Sequence, residues 1–210
     1  MKNIIFLLIT FLPFLSNGQY SFIEIQGGYP KLPLSILGAY TTPPSKDNII
    51  LSTLGLVNEK SIWLTASPSW YILNSRNSLV MTIGAGAGVH YNQIIRDVHP
   101  HVEFLTSGVK SQGCLRPEHE FTWDIRIDLG LDGDYWHMIN IGIQTKRWFR
   151  LTFYSQTKLF TGPRIDLNYK FMSFWAGAGI SKDLFKNIPL AAGFRLTPGI
   201  YKNNQKVLPF

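Results

Sequence analysis

The stretch FTWDIRIDLGL at residues 121–131 decides the fold. Its odd-numbered positions are all apolar, whereas positions 122, 124, 126 and 128 are Thr, Asp, Arg and Asp. Because successive side chains of a β-strand point to opposite faces, this period of two predicts a strand with one apolar and one charged face. Such strands occur in soluble sandwiches as well as in membrane barrels, so the stretch alone does not separate the two.

The same alternation recurs in the segments 139–144, 149–158, 164–171 and 188–197. The alternating strands run to about 10 to 14 residues, against the ~5 or 6 usual in soluble domains and the ~9 to 11 that a tilted transmembrane strand needs. No mature segment reaches ~18 consecutive apolar residues, which excludes transmembrane helices. We therefore predict an all-β fold, a closed antiparallel up-and-down transmembrane β-barrel. A soluble β-sandwich or a lipocalin-like carrier is the rival fold.

Aromatic residues near the predicted strand ends favour the membrane barrel, because such barrels carry aromatic girdles at both interfaces. These residues are Trp63, Trp70, Tyr71, Tyr135, Trp136, Trp148, Phe149, Phe174 and Trp175.

Turn-forming Pro, Gly, Asn and Asp residues divide the chain into about ten strands. The predicted strands are 20–29, 33–42, 47–57, 60–73, 77–92, 118–131, 134–146, 148–158, 163–180 and 187–201. Eight or twelve strands are the alternatives. The segment 163–180 is too long for one strand and holds a bulge or a turn, and the tail 202–210 is an alternative last strand.

The connection from Asn92 to Pro117 is the one long loop in this division. If the chain starts in the periplasm, this fifth connection is extracellular, as the long loops of such barrels are. Its apolar residues, among them Ile94, Ile95 and Phe104, are out of place in a solvated loop. We therefore expect loop 92–117 to be the site that binds a protein partner.

The N-terminus has the layout of a secretory signal peptide, with Lys2, an uncharged apolar stretch and small residues up to Gly18. We predict that residues 1–18 are removed and that 19–210 form a single barrel domain. A formal net charge of +7 requires an anionic partner. For an exported chain with scattered basic residues, we expect outer-membrane lipid and lipopolysaccharide, and no nucleic acid.

Ionisable residues gather on the face predicted to line the lumen. We expect them to form a plug of mutually paired charges, because a barrel of about eight to ten strands is only just wide enough for side chains. The alternative is a narrow channel whose basic surplus favours anions. The lumen residues are Glu120, Asp124, Arg126, Asp128, Arg150, Lys158, Arg164, Asp166, Lys170 and Arg195.

The glycines Gly84, Gly86 and Gly88 share the inward face of one strand, and Gly177 and Gly179 lie in a similar run. Missing side chains allow a strand to bend or to approach a neighbour closely. We interpret both runs as devices for curvature.

Histidines and a lone cysteine mark the predicted outer loop. The outer-loop candidates are His90, His99, His101, Cys114 and His119. The His99-Pro100-His101 spacing would offer two imidazoles to a metal, with His119 or Glu118 as a third ligand, but it matches no paired ligand motif. We therefore predict no metal and no cofactor, and we assign no catalytic residue, since no His-x-Ser unit is present.

The alternating strands, the aromatic strand ends and the terminal Phe210 resemble small bacterial outer-membrane β-barrel proteins as a general class. In that class a terminal aromatic residue is read by the assembly machinery, a role that the resemblance assigns to Tyr201 or Phe210. The resemblance implies an outer-membrane location. The first functional hypothesis is a structural or surface-interaction barrel, the second a small pore or transporter, and the third an envelope lipid-modifying enzyme.

Overall fold

The computed structural model describes residues 20–29, 32–74, 79–111, 120–146, 148–157, 159–179 and 188–197. Within these ranges the chain forms twelve β-strands. They are β1 (Tyr20–Tyr29), β2 (Leu32–Thr41), β3 (Ile49–Asn58), β4 (Ser61–Asn74), β5 (Leu79–Asn92), β6 (Asp97–Ser111), β7 (Glu120–Gly130), β8 (Tyr135–Lys146), β9 (Phe149–Gln156), β10 (Phe160–Tyr169), β11 (Met172–Ala178) and β12 (Leu190–Leu196).

Each strand pairs antiparallel with its neighbours in sequence, and β12 returns to pair with β1, with Phe194 opposite Ile25. The prediction of an all-β, closed, up-and-down barrel is therefore confirmed, and the strand number is twelve. We call the end where β1 begins the lower rim and the end where β1 ends the upper rim. No helix among the described residues has the length and apolarity to cross a membrane.

The two strands beyond the predicted ten come from two segments. Residues predicted as the long outer loop contain the fifteen-residue strand β6, so that the connection from β5 is only residues 93–96. The segment 163–180 holds a turn at residues 170 and 171, between β10 and β11. The prediction of a long loop at 92–117 was therefore wrong. The argument that placed the upper rim outside the cell depended on that loop and no longer holds.

The alternation of the sequence maps onto the two faces of the barrel. Large apolar side chains such as Phe104, Leu151 and Ile165 are exposed on the outside, and polar side chains fill the inside. Three tryptophans differ from the prediction of interfacial girdles, because Trp63, Trp136 and Trp175 are buried in the lumen. Trp70, Trp148 and other outer aromatics remain exposed near the rims.

The glycine run of β5 permits a close approach to β4. A Cβ placed on Gly84 would lie 2.8 Å from Cα of Ser69, and one on Gly88 would lie 2.6 Å from Cγ2 of Thr65. These distances are shorter than real Cβ contacts, so a side chain at either position would push the two strands apart.

Several predictions from the sequence lie outside the described residues. These are the signal peptide 1–18, Cys114, His119, Lys158 and the tail that ends at Phe210.

Candidate functional site inside the barrel

The first polar cluster joins β1, β10 and β12 on one side of the lumen. Arg164 is 1% exposed, and its Nη2 donates to Oδ1 of Asp166 at 2.5 Å. Its Nη1 lies 3.7 Å from Oε1 of Glu24, and Arg195 donates from Nε to Oε2 of the same glutamate at 2.5 Å. Two guanidiniums and two carboxylates thus neutralise one another in a region shielded from water.

A second group of charges joins β6 and β7. Arg126 places Nη1 3.3 Å from Oε1 of Glu103 and Nε 3.4 Å from Oδ1 of Asp124. The other oxygen of Glu103 accepts a hydrogen bond from the Ser67 hydroxyl on β4. Nearby on β9, Arg150 donates from Nη2 to Oδ1 of Asn140 at 3.3 Å. Together with the first cluster, this group forms what we call the charged wall: Glu24, Glu103, Asp124, Arg126, Asp128, Arg150, Arg164, Asp166 and Arg195.

Aromatic rings pack against the guanidiniums of this charged wall. The guanidinium carbon of Arg164 lies 4.1 Å from the ring centre of Trp175 and 4.8 Å from that of Tyr154. Arg195 lies in the same way 4.2 Å from the ring centre of Phe22. Cation–π contacts strengthen when water is excluded, so the rings hold the arginines in place and fill the space beside them.

Part of the lumen is lined by apolar side chains. Leu37 on β2, Leu54 and Leu56 on β3 and Met138 on β8 are buried and belong to one hydrophobic cluster with the lumen aromatics. An aqueous channel would expose such side chains to water. The interior is therefore packed in the manner of a protein core.

The structure places most of the predicted lumen residues in the interior but not all of them. Lys170 lies exposed in the turn between β10 and β11, and Glu120 is half-buried at the lower rim. The prediction missed Glu24 and placed Glu103 in a loop. Among the buried residues that the structure describes, five carboxylates face four guanidiniums, so the expected basic surplus is absent. They are Glu24, Glu103, Asp124, Asp128 and Asp166, with Arg126, Arg150, Arg164 and Arg195.

A histidine cluster occupies the upper rim. The ladder between β5 and β6 sets His90 opposite His99, and His101 lies two residues further along β6. Nδ1 of His90 is 2.9 Å from Oδ2 of Asp134, and Nδ1 of His99 contacts the Asp132 carboxylate. Both aspartates belong to the β7–β8 turn, which the sequence analysis did not connect to the histidines.

The turn is ordered by its own hydrogen bonds. The backbone N–H of Asp134 donates to Oδ1 of Asp132 at 3.1 Å, and this bond lowers the pKa of Asp132. Gly133 takes the positive φ of 89° that the turn requires. The sequence Asp132-Gly133-Asp134 therefore presents two carboxylates to the upper rim.

A hydrogen-bonded chain of two hydroxyls and one imidazole lies on the outer face of the barrel. The side chain of His137 points outward, whereas those of its neighbours Trp136 and Met138 point inward. Nε2 of His137 lies 2.7 Å from Oγ of Ser155. Its Nδ1 lies 2.9 Å from Oγ1 of Thr157. The sequence analysis missed this arrangement because the serine comes from the neighbouring strand.

A closed barrel with an apolar outer face and a charged interior fits the class of bacterial outer-membrane barrels. No protein-family model and no curated protein matches the chain. A solved structure described as "KdgM porin" is similar, with a TM-score of 0.47 and 11% identity over 84% of this chain and 98% of that chain. Identity this low, with a TM-score under 0.5, makes it a distant likeness.

Proposed function

We propose that this protein is an integral outer-membrane β-barrel whose lumen is closed by packed side chains. The exposed apolar outer face supports residence in a lipid bilayer, since each outward Phe, Leu or Ile would otherwise be held in water at a cost of about 1.5 to 3 kcal/mol. A signal peptide at residues 1–18 would direct the chain to the cell envelope.

The observation that carries the closed lumen is the burial of charged pairs inside the barrel, together with one hydrophobic cluster that joins β2, β3 and β4 to β8, β9 and β11. Glu24 and Glu103 are both 0% exposed, and each is paired with an arginine. Water in an open channel would reach these carboxylates. The barrel therefore acts as a structural or surface-presenting element of the outer membrane and does not conduct at rest.

The exposed turn 93–96, which connects β5 and β6, is the part of the predicted partner-binding loop that lies at the upper rim. Ile94 and Ile95 are about two-thirds exposed at the upper rim, beside Arg96. We propose this apolar pair with its adjacent cation as a point of contact with anionic lipid headgroups or a protein partner.

Membrane residence is tested by fractionating cells that express the protein and by comparing boiled and unboiled samples on a gel. We expect an outer-membrane band whose mobility changes on boiling. A soluble protein without that change would contradict the barrel in the membrane.

Closure of the lumen is tested by conductance in planar bilayers, with a general porin in the same lipid as the positive control. We expect no steady conductance from the refolded barrel. Steady open channels would overturn closure while leaving membrane residence intact, so the two parts of the proposal are separable.

A second candidate function is ester hydrolysis of membrane lipids, favoured by the Ser155–His137–Thr157 chain. In such a reaction His137 would accept the proton of Ser155 as Oγ attacks an ester carbonyl, and would give it to the departing alcohol as the ester C–O bond breaks. Water would then release the acyl group from the serine. Ser155 is buried, so a lipid ester would have to displace neighbouring side chains, and this candidate ranks second.

Hydrolysis is measured as release of labelled fatty acid from ester lipids in vesicles that contain the refolded barrel. We expect the release to disappear in Ser155→Ala and to persist in Ser173→Ala, which removes an inward hydroxyl. Equal release from wild type and Ser155→Ala, or none from either, would exclude the hydrolase.

A further inference from the structure

Three side chains from separate parts of the chain converge at the upper rim. One ligand atom each of His90 on β5, His101 on β6 and Asp134 in the β7–β8 turn lies within 4.8 Å of the others. Two imidazole nitrogens and one carboxylate oxygen are a donor set typical of transition-metal ions, and of zinc in particular. Mg²⁺ and Ca²⁺ prefer sites built of oxygen ligands.

The buried imidazole of His101 is the strongest indication of a bound ligand. It is 2% exposed, and within the described part of the chain neither of its ring nitrogens has a hydrogen-bond partner. A buried polar group without a partner costs roughly 1 to 3 kcal/mol, so such groups are rare in folded proteins. A metal ion bound to one of these nitrogens would remove that penalty.

The surroundings of the cluster fix its shape. Trp63 stacks on His90 with ring centres 4.0 Å apart and meets His101 edge-on at 4.6 Å. Gly130 lies opposite His101 in the ladder, and a Cβ there would come within 2.9 Å of Cε1 of His101 and 2.5 Å of Oδ1 of Asp132. The absence of a side chain at Gly130 leaves the room that the cluster occupies.

We propose that His90, His101 and Asp134 bind one zinc ion at the upper rim of the barrel. Zinc–ligand bonds of about 2.0 to 2.1 Å require tetrahedral ligands about 3.4 Å apart. His90 and Asp134 already stand at 2.9 Å, so only modest side-chain movement closes the site. The three ligands leave a fourth position for water or for an anionic group of a ligand.

The zinc ion would join β5, β6 and the β7–β8 turn. His99 and its partner Asp132 lie beside the site, with the ring centres of His90 and His99 5.9 Å apart. This neighbouring pair supplies the kind of outer contacts that orient metal ligands. The site goes beyond the closed-barrel function and does not depend on whether the lumen conducts.

The experiment is titration of the metal-free, detergent-refolded barrel with ZnCl₂ by calorimetry. We expect one saturable ion per chain. His101→Ala and Asp134→Asn should each weaken binding by on the order of 100-fold or more, since loss of even an outer-shell contact costs 10- to 100-fold. His137→Ala and Asp47→Asn remove an imidazole and a carboxylate elsewhere and should leave the affinity unchanged.

A measurement on the wild-type barrel guards against misfolded variants. Co²⁺ bound in place of zinc should give the intense visible bands of a four-coordinate ion, and added zinc should abolish them. MgCl₂ in excess should not. Failure of the wild type to bind one zinc ion, or wild-type affinity in both folded His101→Ala and Asp134→Asn, would overturn the proposal.

Discussion

The charged wall and the histidine cluster lie in the same barrel but differ in how their polar groups are satisfied. In the charged wall each arginine has a carboxylate or an amide within reach, as when Arg164 donates to Asp166. In the histidine cluster, His101 has two ring nitrogens and no partner for either in the described residues. Paired arginines fill space and hold strands together, even though some atoms of the wall, such as Oδ2 of Asp166, lack a hydrogen-bond partner within the part of the chain that the structure describes. A buried imidazole with no hydrogen-bond partner at all is instead suited to a ligand.

The difference also follows from position along the barrel axis. The charged wall lies between the rims, where the apolar outer face and the hydrophobic cluster of the lumen keep water away. The histidine cluster lies at the upper rim, where Asp134 is exposed and an ion can enter. Each of the following predictions changes one side of this comparison.

The largest effect is expected for Arg164→Ala in the charged wall. The substitution leaves Glu24 and Asp166 buried beside one guanidinium fewer, and breaking a buried pair in this way costs about 3 to 5 kcal/mol. The measurement is urea unfolding of the refolded barrel. Lys46→Ala, which removes an exposed cation from a turn, is the matched control and should change stability by less than about 0.5 kcal/mol. A similar small change for Arg164→Ala would show that the network does not hold the barrel closed.

Zinc should stabilise the histidine cluster by the next largest amount. An ion that binds only the folded barrel adds about 2.7 kcal/mol when its free concentration is 100 times its Kd. We expect zinc to raise the urea midpoint by an amount that corresponds to this gain in the free energy of unfolding. A chelator should reverse the rise. The same titration on His101→Ala should show a shift of about 0.4 kcal/mol or less, since its Kd is expected to be about 100-fold higher. A shift of equal size in that variant would assign the stabilisation to other residues.

The fold was predictable from the sequence to the extent that alternation was clean. Strand β7 shows the period of two without interruption, and its inward and outward residues were assigned correctly. Strand β6 was missed because Pro100, Thr106 and Gly108 interrupt its outward face. The apolar Leu105 and Val109 also lie on its inward face, so the alternation of His101 and Glu103 with Val102 and Phe104 is short. Of the apolar residues judged out of place in a loop, Val102 and Phe104 lie on the outer face of this strand, whereas Ile94 and Ile95 lie in the turn before it.

The candidate site was less predictable, because it depends on strand order and register. His90 and His101 are eleven residues apart, and only the antiparallel ladder of β5 and β6 brings them together. Asp134 reaches them from the β7–β8 turn. It is too far from both histidines along the chain for a local spacing pattern to predict the contact. In the charged wall, Glu24 reaches Arg195 through the closure of β1 on β12, which the strand patterns do not specify.

A moderate effect is expected for Gly130→Ala beneath the histidine cluster. The new methyl group would overlap His101 and Asp132, and such overpacking costs typically 1 to 3 kcal/mol. The variant should also bind zinc more weakly, because the methyl group displaces His101. Strain that does not reach the zinc ligands would leave the affinity unchanged. Gly38→Ala is the control, because its Cβ would meet only the carbonyl oxygen of Phe22, at 3.8 Å. Equal urea midpoints for the two variants would mean that the rim adjusts freely and that the cluster is not held by close packing.

The smallest effect concerns Asp128, the one member of the charged wall that resembles the histidine cluster. It is fully buried opposite Glu103, and neither carboxylate oxygen has a partner in the described residues. Asp128→Asn removes a charge that repels Glu103, so we expect a gain in stability of about 1 kcal/mol by urea unfolding. Asp166→Asn is the opposite case, because Asp166 accepts hydrogen bonds from Nε and Nη2 of Arg164 and its neutral variant should be less stable. If both variants shifted the urea midpoint in the same direction, the stability effect would not depend on whether the carboxylate is hydrogen-bonded. That result would contradict the distinction between Asp128 and Asp166.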